Sequence, residues 1–250
     1  MKIQLSWQGK KYAANLGEPL AIGIPLRDGG QNPNCYFTGP VRFSPVQAPG
    51  FTGSIAQGGT VNHFRLSLAP HGNGTHTECY GHITNSGAVI ANQVKKYFSV
   101  ARLITLTPSA VGKDKVIDAR AMQKVVLPPG IKALVVRTLP NEPAKQQYNY
   151  SGNNPPYFSD QIIEQWVAHG IEHLVTDLPS VDKENDEGKL LAHKAFWQTN
   201  GNLRAEATIT ELAYIDNQIA DGLYLLELQV LPVYLDASPS NPILYSLKPT

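Results

Sequence analysis

The chain has 250 residues, of which 42% are hydrophobic and 16% charged, with a formal net charge of +1. A chain this long can bury a full core, and without a basic excess it lacks the electrostatic footprint of a nucleic-acid surface. No apolar run approaches the ~20 residues of a membrane span, and Met1 to Gln8 alternates polar and apolar residues rather than forming a signal-peptide core. The expectation is a cytoplasmic enzyme or binding protein folded as one domain, residues 1–250, with no membrane or nucleic-acid partner.

Ile3, Leu5 and Trp7 alternate ahead of a Gln8-Gly9-Lys10 turn, and Lys11 to Ala14 completes an opening hairpin. Ala21 to Leu26 reads as a strand ending at Pro25. From Arg27 to Gly59 the chain is rich in Gly, Pro and Asn, with Tyr36, Phe37, Phe43 and Phe51 interspersed. A loop of that length needs a role, and a lid over a site or an extension to a partner subunit stands beside a packed surface excursion. Val61 to Leu68 reads as a strand, with His63 as one of its ordinary residues.

Further strands are expected at 101–106 and 132–139, the second a near-continuous apolar run of the kind buried on both faces. A short helix follows Asp118. Ser159 or Asp160 caps a helix whose Ile162, Ile163, Trp166 and Val167 form one apolar stripe, closed by Gly170. His169 and His173 flank that glycine and read as capping or surface residues. Leu174 to Asp177 is the next strand, so strand, helix and strand make a crossover with a parallel pair. Asp177 and Asp182 lie in a turn, and 190–197 is helical. Leu223 to Leu235 is a strand interrupted at Pro232, followed by a proline-rich tail from Ala237 to Pro249. Two cysteines, Cys35 and Cys79, are too few for a disulfide scaffold and read as reduced thiols.

The densest chemistry lies between Pro70 and His82, Pro-His-Gly-Asn-Gly-Thr-His-Thr-Glu-Cys-Tyr-Gly-His, which holds three of the seven histidines and a carboxylate. Imidazole with carboxylate suits Zn, Mn, Fe or Ni better than Ca or Mg, which prefer oxygen alone. If residues 75–78 are extended, His76 and Glu78 point to the same side, and Thr75 and Thr77 to the other. Gly72 and Gly74 would let the backbone bend His71 back towards the same ion. His82 reads either as a further ligand or as an unliganded base. The simpler alternative is a polar loop whose histidines bond to carbonyls and water.

Gly74-Thr75-His76-Thr77-Glu78, with His82 four residues beyond the acid, resembles the HxGTHxDxPxH signature of the metal-dependent cyclase/arylformamidase family. That family includes kynurenine formamidases, isatin hydrolases and polyketide cyclases. Three departures stand out: one extra residue between His71 and the Gly-Thr-His core, Glu78 in place of Asp, and Tyr80 in place of Pro. A family-like Asp-x-x-Ser-x-Asp element occurs at 177–182.

The resemblance implies an α/β fold of the swivelling β/β/α type, a mixed sheet with outer helices. It also implies metal ligands at His71, His76, Glu78, His193 and Glu211, with His82 as the catalytic histidine. Glu206 lies nearer the family's usual interval from His193, but the apolar neighbours of Glu211 match better. One or two divalent ions per chain, Zn2+ or Mn2+, would support hydrolysis of an amide or formamide of a small aromatic substrate such as N-formylkynurenine. A cyclic amide or lactone is the alternative substrate, and a non-catalytic binding protein of the same fold the alternative class. A homodimer or higher homo-oligomer is expected, and Tyr80, Trp197 and the 36–51 aromatics are candidates to line an aromatic pocket.

Overall fold

The computed structural model describes residues 1–250. The chain opens with β1 (Lys2–Trp7) and β2 (Lys10–Asn15), then a short β3 (Leu20–Ala21). An arm follows, made of β4 (Arg42–Pro45), β5 (Gln47–Ala48), β6 (Phe51–Thr52) and β7 (Phe64–Ser67). The one-turn helix α1 (Pro70–Asn73) leads into β8 (His76–Glu78), and a second one-turn helix, α2 (Ile90–Gln93), precedes the long β9 (Phe98–Leu106). After β10 (Ser109–Val111) and β11 (Asp114–Ile117) come β12 (Ala133–Thr138), β13 (Tyr157–Phe158), α3 (Asp160–His169) and β14 (His173–Thr176). Helix α4 (Leu191–Trp197), β15 (Thr208–Glu211), β16 (Gly222–Val230), β17 (Ala237–Ser246) and β18 (Lys248–Pro249) complete it.

Seven strands close on themselves in the order β16-β9-β12-β14-β15-β8-β17, with β17 returning to pair with β16 and β3 added beside β17. The sheet is mixed. β9, β12, β14 and β15 run parallel to one another, while the β15–β8, β8–β17, β17–β16 and β16–β9 pairs are antiparallel. Closure leaves these strands few free edges, which is how an all-round ladder satisfies its backbone groups.

The expected crossover is present: β12, α3 and β14 form a parallel βαβ unit. The Ser159 hydroxyl accepts from the Ile162 amide at 3.3 Å, and Gly170, at φ +94°, ends the helix. Ile162, Ile163 and Trp166 of its stripe are buried on the outer face of the barrel against Leu134 and Leu174. Complete burial of each such side chain is worth about 1.5–3 kcal/mol.

Each barrel strand therefore has two faces. Inward point Ala101, Leu103, Ala133, Val135, Val175, Tyr224 and Leu226, among others, which fill the interior. Outward point Ile104, Leu134, Val136, Leu174 and Ile209, under α3 and α4. The register of β15 on β8, with Ile209 opposite Glu78 and Glu211 opposite His76, puts all three polar side chains on that outer, helix-covered face.

Several expectations need correction. The strand expected from Ala21 stops there, because Gly23 lies hard against Asn241 and the Ile24 amide donates to a side chain, Thr75 Oγ1, at 2.8 Å. The segment 61–68 is not a barrel strand: only 64–67 is extended, it is exposed throughout, and its partner is β4 of the arm. The arm itself is thus partly ordered by pairing rather than a bare loop. The proline-rich tail is a ten-residue barrel strand. Pro239 and Pro242 lack a donor but serve as acceptors, for the Leu231 and Ile22 amides, so the ladder tolerates them. The long strand before it ends at Val230, short of Pro232. His173 is neither a cap nor a surface residue; it begins β14 and is buried, with Nδ1 2.9 Å from Thr208 Oγ1.

Candidate metal centre

His76 and Glu78 project from the same face of β8, as period-two alternation requires, and both are fully buried. Thr77 points the other way and pairs with Thr210, oxygen to oxygen, at 2.7 Å. His71 reaches the same place by a different route from the one expected. It sits on the single turn of α1, and neither Gly72 nor Gly74 has a left-handed backbone. Their lack of a side chain matters for contact: Gly72 lies against Thr38, and a Cβ on Gly74 would stand 2.8 Å from Leu26 Cδ2.

Six sequence-selected residues converge. His71 Nδ1 is 3.2 Å and His82 Nε2 3.7 Å from Glu78 Oε2; His193 Nε2 is 3.0 Å from Glu78 Oε1; and His76 Nε2 is 3.4 Å from Glu211 Oε2. Glu211 completes the set, whereas Glu206 is exposed and lies among Lys132, Glu172 and Arg204. The approach is one-sided. His76, Glu78, His193 and Glu211 are at most 3% exposed, while the His71 and His82 side chains are 27% and 31% exposed and form the opening.

The tautomers follow from the partners. The Gly74 carbonyl can only accept, so His76 Nδ1, 3.0 Å away, carries the proton and Nε2 is left with a lone pair. His193 is held in the same sense by Asp182, whose Oδ2 is 2.6 Å from Nδ1. Asp182 also accepts the Ala192 and His193 amides, capping α4 from outside the helix. The Val181 amide orients Glu211 by donating to Oε1 at 2.8 Å. Trp197 is core, stacked under the His193 ring at 5.5 Å with its indole N–H on the Ala207 carbonyl. It lines no pocket. Cys79, next to Glu78, turns away into a small apolar cluster with Ile90 and Val94.

Two atoms in this cluster have nothing to bond to. His76 Nε2 and Glu78 Oε2 are buried without a hydrogen-bond partner, a cost of about 1–3 kcal/mol each unless something satisfies them. Both can only accept, which is the requirement of a cation. The triad His71, His76 and Glu78 and the triad Glu78, His82 and His193 each offer ligand atoms within 4.8 Å of one another. The donor set of nitrogen and carboxylate oxygen fits a divalent transition metal or zinc.

The electrostatics agree. Burial alone would push the Glu78 carboxyl up, but the charges of His82 and His193 and the hydrogen bond from His193 hold it well below its usual range. Burial would lower His193, yet Glu78, Asp182 and Glu211 raise it well above an ordinary imidazole. His71 is likewise opposed by burial but raised to about 10 by Asp236 and Glu78. Without a metal, protons stand in for it.

Sequence reasoning missed one residue of this surround and gave two others no part in the ion site. Asp236, just before β17, lies 2.7 Å from His71 Nε2 and 3.1 Å from His82 Nδ1. Asp182 was visible as the last acid of the family-like Asp-x-x-Ser-x-Asp element, with no role assigned to it. Tyr36 stands at the rim, its hydroxyl donating to the Pro179 carbonyl at 3.2 Å, and burial together with the Glu211 charge pushes its phenol well up. Tyr36 and Phe37 both have left-handed backbones, φ +57° and +55°, a strained state for aromatic residues of a kind that collects at functional sites. No motif spacing marks Asp236 or Tyr36.

Residues 15–183, more than half of the chain, match the family model described as "Putative cyclase". The chain belongs to this cyclase family. No curated protein matches it. Among solved structures, a potential metal-dependent hydrolase with cyclase activity is 15% identical over 93% of this chain and 99% of its own, with a TM-score of 0.66. Isatin hydrolase A from Labrenzia aggregata is 11% identical over 92% of this chain and 94% of its own, with a TM-score of 0.64. Isatin hydrolase A from Ralstonia solanacearum is 10% identical over 92% of each chain, with a TM-score of 0.64. At these identities the likeness establishes the shared cyclase-family fold.

Proposed function

We propose that this cyclase-family chain is a metal-dependent hydrolase that opens a C–N bond in a small aromatic amide. The observation that carries the reading is the pair of buried, acceptor-only atoms without partners, His76 Nε2 and Glu78 Oε2, beside a partly exposed imidazole. His71, His76, Glu78, His193 and Glu211 would hold one or two divalent ions, Zn2+ or Mn2+. Such an ion supplies Lewis acidity, making water a better nucleophile at neutral pH and polarising a carbonyl.

The chain's own contribution is placement and proton transfer. His82 lies at the opening, with Nδ1 on Asp236 and Nε2 facing Glu78. That Nε2 is where a proton from attacking water would be held and then passed to the leaving nitrogen. The buried ligand side excludes bulk water, and Tyr36, its hydroxyl held by the Pro179 carbonyl, would be the aromatic residue to meet a substrate ring.

An aryl formamide such as N-formylkynurenine is the first candidate, through the His76, Glu78 and His82 signature. A cyclic amide is the second, supported by the isatin hydrolases among the structural neighbours. Metal-loaded protein assayed on N-formylkynurenine, isatin and a simple lactone separates these. Turnover of one, lost in His82→Ala with metal still bound, is the expected result; no turnover of any, with metal bound, favours a binding protein.

Two further expectations join this reading. The exposed apolar residues of the arm, Phe43, Phe64 and Leu66 with Ile55 and Val61, support a homodimer or higher oligomer, which light scattering would detect. Both cysteines are unpaired and buried, in keeping with a reducing cytoplasm, and no helix is long and apolar enough to cross a membrane.

A further inference from the structure

Asp236 belongs to neither half of the motif, yet its position is built in. Its carbonyl accepts the Cys79 amide at 3.0 Å, so the strand carrying Glu78 and the start of β17 hold it beside the opening. Its side chain, 35% exposed, reaches two imidazoles with one oxygen: Oδ2 is 2.7 Å from His71 Nε2 and 3.1 Å from His82 Nδ1. The two rings stack, with centroids 4.1 Å apart and planes 29° from parallel.

An ionised carboxylate can only accept, so both nitrogens facing Asp236 carry hydrogen. A neutral imidazole has one N–H and one lone pair. Once the extra proton that His71 carries in the metal-free chain is released, the second nitrogen of each ring is the bare one, and both second nitrogens face the same atom: His71 Nδ1 at 3.2 Å and His82 Nε2 at 3.7 Å from Glu78 Oε2. That oxygen is itself without a hydrogen-bond partner.

We propose that Asp236 is a positioning residue that sets the tautomer and the aim of two histidines with different tasks, the candidate ligand His71 and the proton carrier His82. One carboxylate oxygen turns both lone pairs towards the ion site. Carboxylates behind metal-ligating histidines do this singly; here one serves a ligand and the proton-transferring residue together. A purely structural role fits poorly, because the side chain's hydrogen-bonding partners are these two rings and it braces no other part of the chain. The inference rests on the metal-dependent hydrolase reading for the task of each histidine, though not for their geometry.

The test uses the full chain as wild type, Asp236→Asn and Asp236→Glu. Zn2+ affinity is measured by titration calorimetry, and the His82 and His71 tautomers by two-bond 15N–1H NMR, with and without Zn2+. Asp236→Asn is expected to weaken Zn2+ binding about 10–100-fold and to convert His82 from the Nδ1–H form to a mixture, with Asp236→Glu restoring part of both. A general loss of stability would not move the tautomer. Wild-type affinity and an unchanged Nδ1–H signal in Asp236→Asn would overturn the proposal. If the wild type takes up no Zn2+, the hydrolase reading fails separately, and Asp236 is then judged on the tautomers of the metal-free chain, where an unchanged His82 again overturns it.

Discussion

Strand β8 is three residues long and carries two different kinds of polar chemistry on its two faces. Inward, Thr77 meets Thr210 at 2.7 Å and each hydroxyl is satisfied by the other. Outward, His76 and Glu78 are just as buried, but one atom of each has no partner. Burial is the same on both sides, so exposure cannot explain the difference. The inner face is complete as a piece of the fold; the outer face leaves two acceptor-only atoms that a cation would satisfy. A polar group that is buried and satisfied contributes to folding, whereas one that is buried and left open costs stability that binding can return.

The sharpest way to break this comparison is at His76. His76→Ala should weaken Zn2+ or Mn2+ uptake by more than about a hundredfold, beyond what loss of an orienting partner costs, while the chelated protein melts within a few degrees of wild type. Elemental analysis after gel filtration, with thermal melts in chelator, measures both. A variant that unfolds without metal would mean that the outer face supports the fold as the inner one does.

Proton competition comes next. In the metal-free chain His71 is raised to about 10, so a metal must displace its proton. Apparent affinity should rise with pH up to about 10, by roughly tenfold per unit for each proton released. The same shift acts on the metal-free fold. Its stabilisation is complete below the ordinary histidine value, about 6.5, and is lost as pH rises through about 10. Glu78 and Asp236, both held well below their usual range, act in the opposite sense and lose their stabilisation as pH falls through their lowered values. Chelated protein should therefore be most stable in the weakly acidic range; melts from pH 4 to 10 with and without Zn2+ would reveal a flat profile if these pairs contribute nothing.

Asp182→Asn is expected to weaken metal binding by about 10–100-fold, since it removes the anion that fixes the His193 tautomer. Calorimetric titration of the variant checks it, and an unchanged affinity would leave Asp182 as a helix cap only. On the inner face, Thr77→Val should cost about 1–3 kcal/mol by stranding the Thr210 hydroxyl, with metal uptake unaltered. The double variant Thr77→Val/Thr210→Val should recover most of that loss in denaturant titrations. Glu206→Gln, on the exposed acid that spacing alone brought into question, should shift stability by less than about 0.5 kcal/mol and leave metal binding unchanged.

Much of the centre was legible before any fold was known. His76 and Glu78 alternate on one strand, and alternation is a local property of extended chain. The 159–170 helix announced itself by a hydroxyl at one end, a glycine at the other and a stripe between. The errors share a cause. The 61–68 segment has strand-like residues, but nothing in its pattern says that its partner is an exposed arm. The 237–249 stretch looks like loop because of its prolines, and only its neighbours' donors make Pro239 and Pro242 acceptable in a ladder. Trp197 and Cys79 sit next to site residues in sequence but on the wrong side in space.

By itself the sequence determined which residue types could hold an ion, since imidazole and carboxylate at those spacings are a chemical fact independent of the fold. It also determined the crossover that places β12 beside β14, through periodicity and capping. Tertiary structure decided that the sheet closes, that Glu211, already favoured over Glu206 by its neighbours, faces His76, and that Asp236 stands behind His71 and His82. Those choices depend on strand register and on contacts between residues more than a hundred positions apart, such as His71 with Asp236. Local chain energetics carry no record of such pairs, which form only when the barrel shuts.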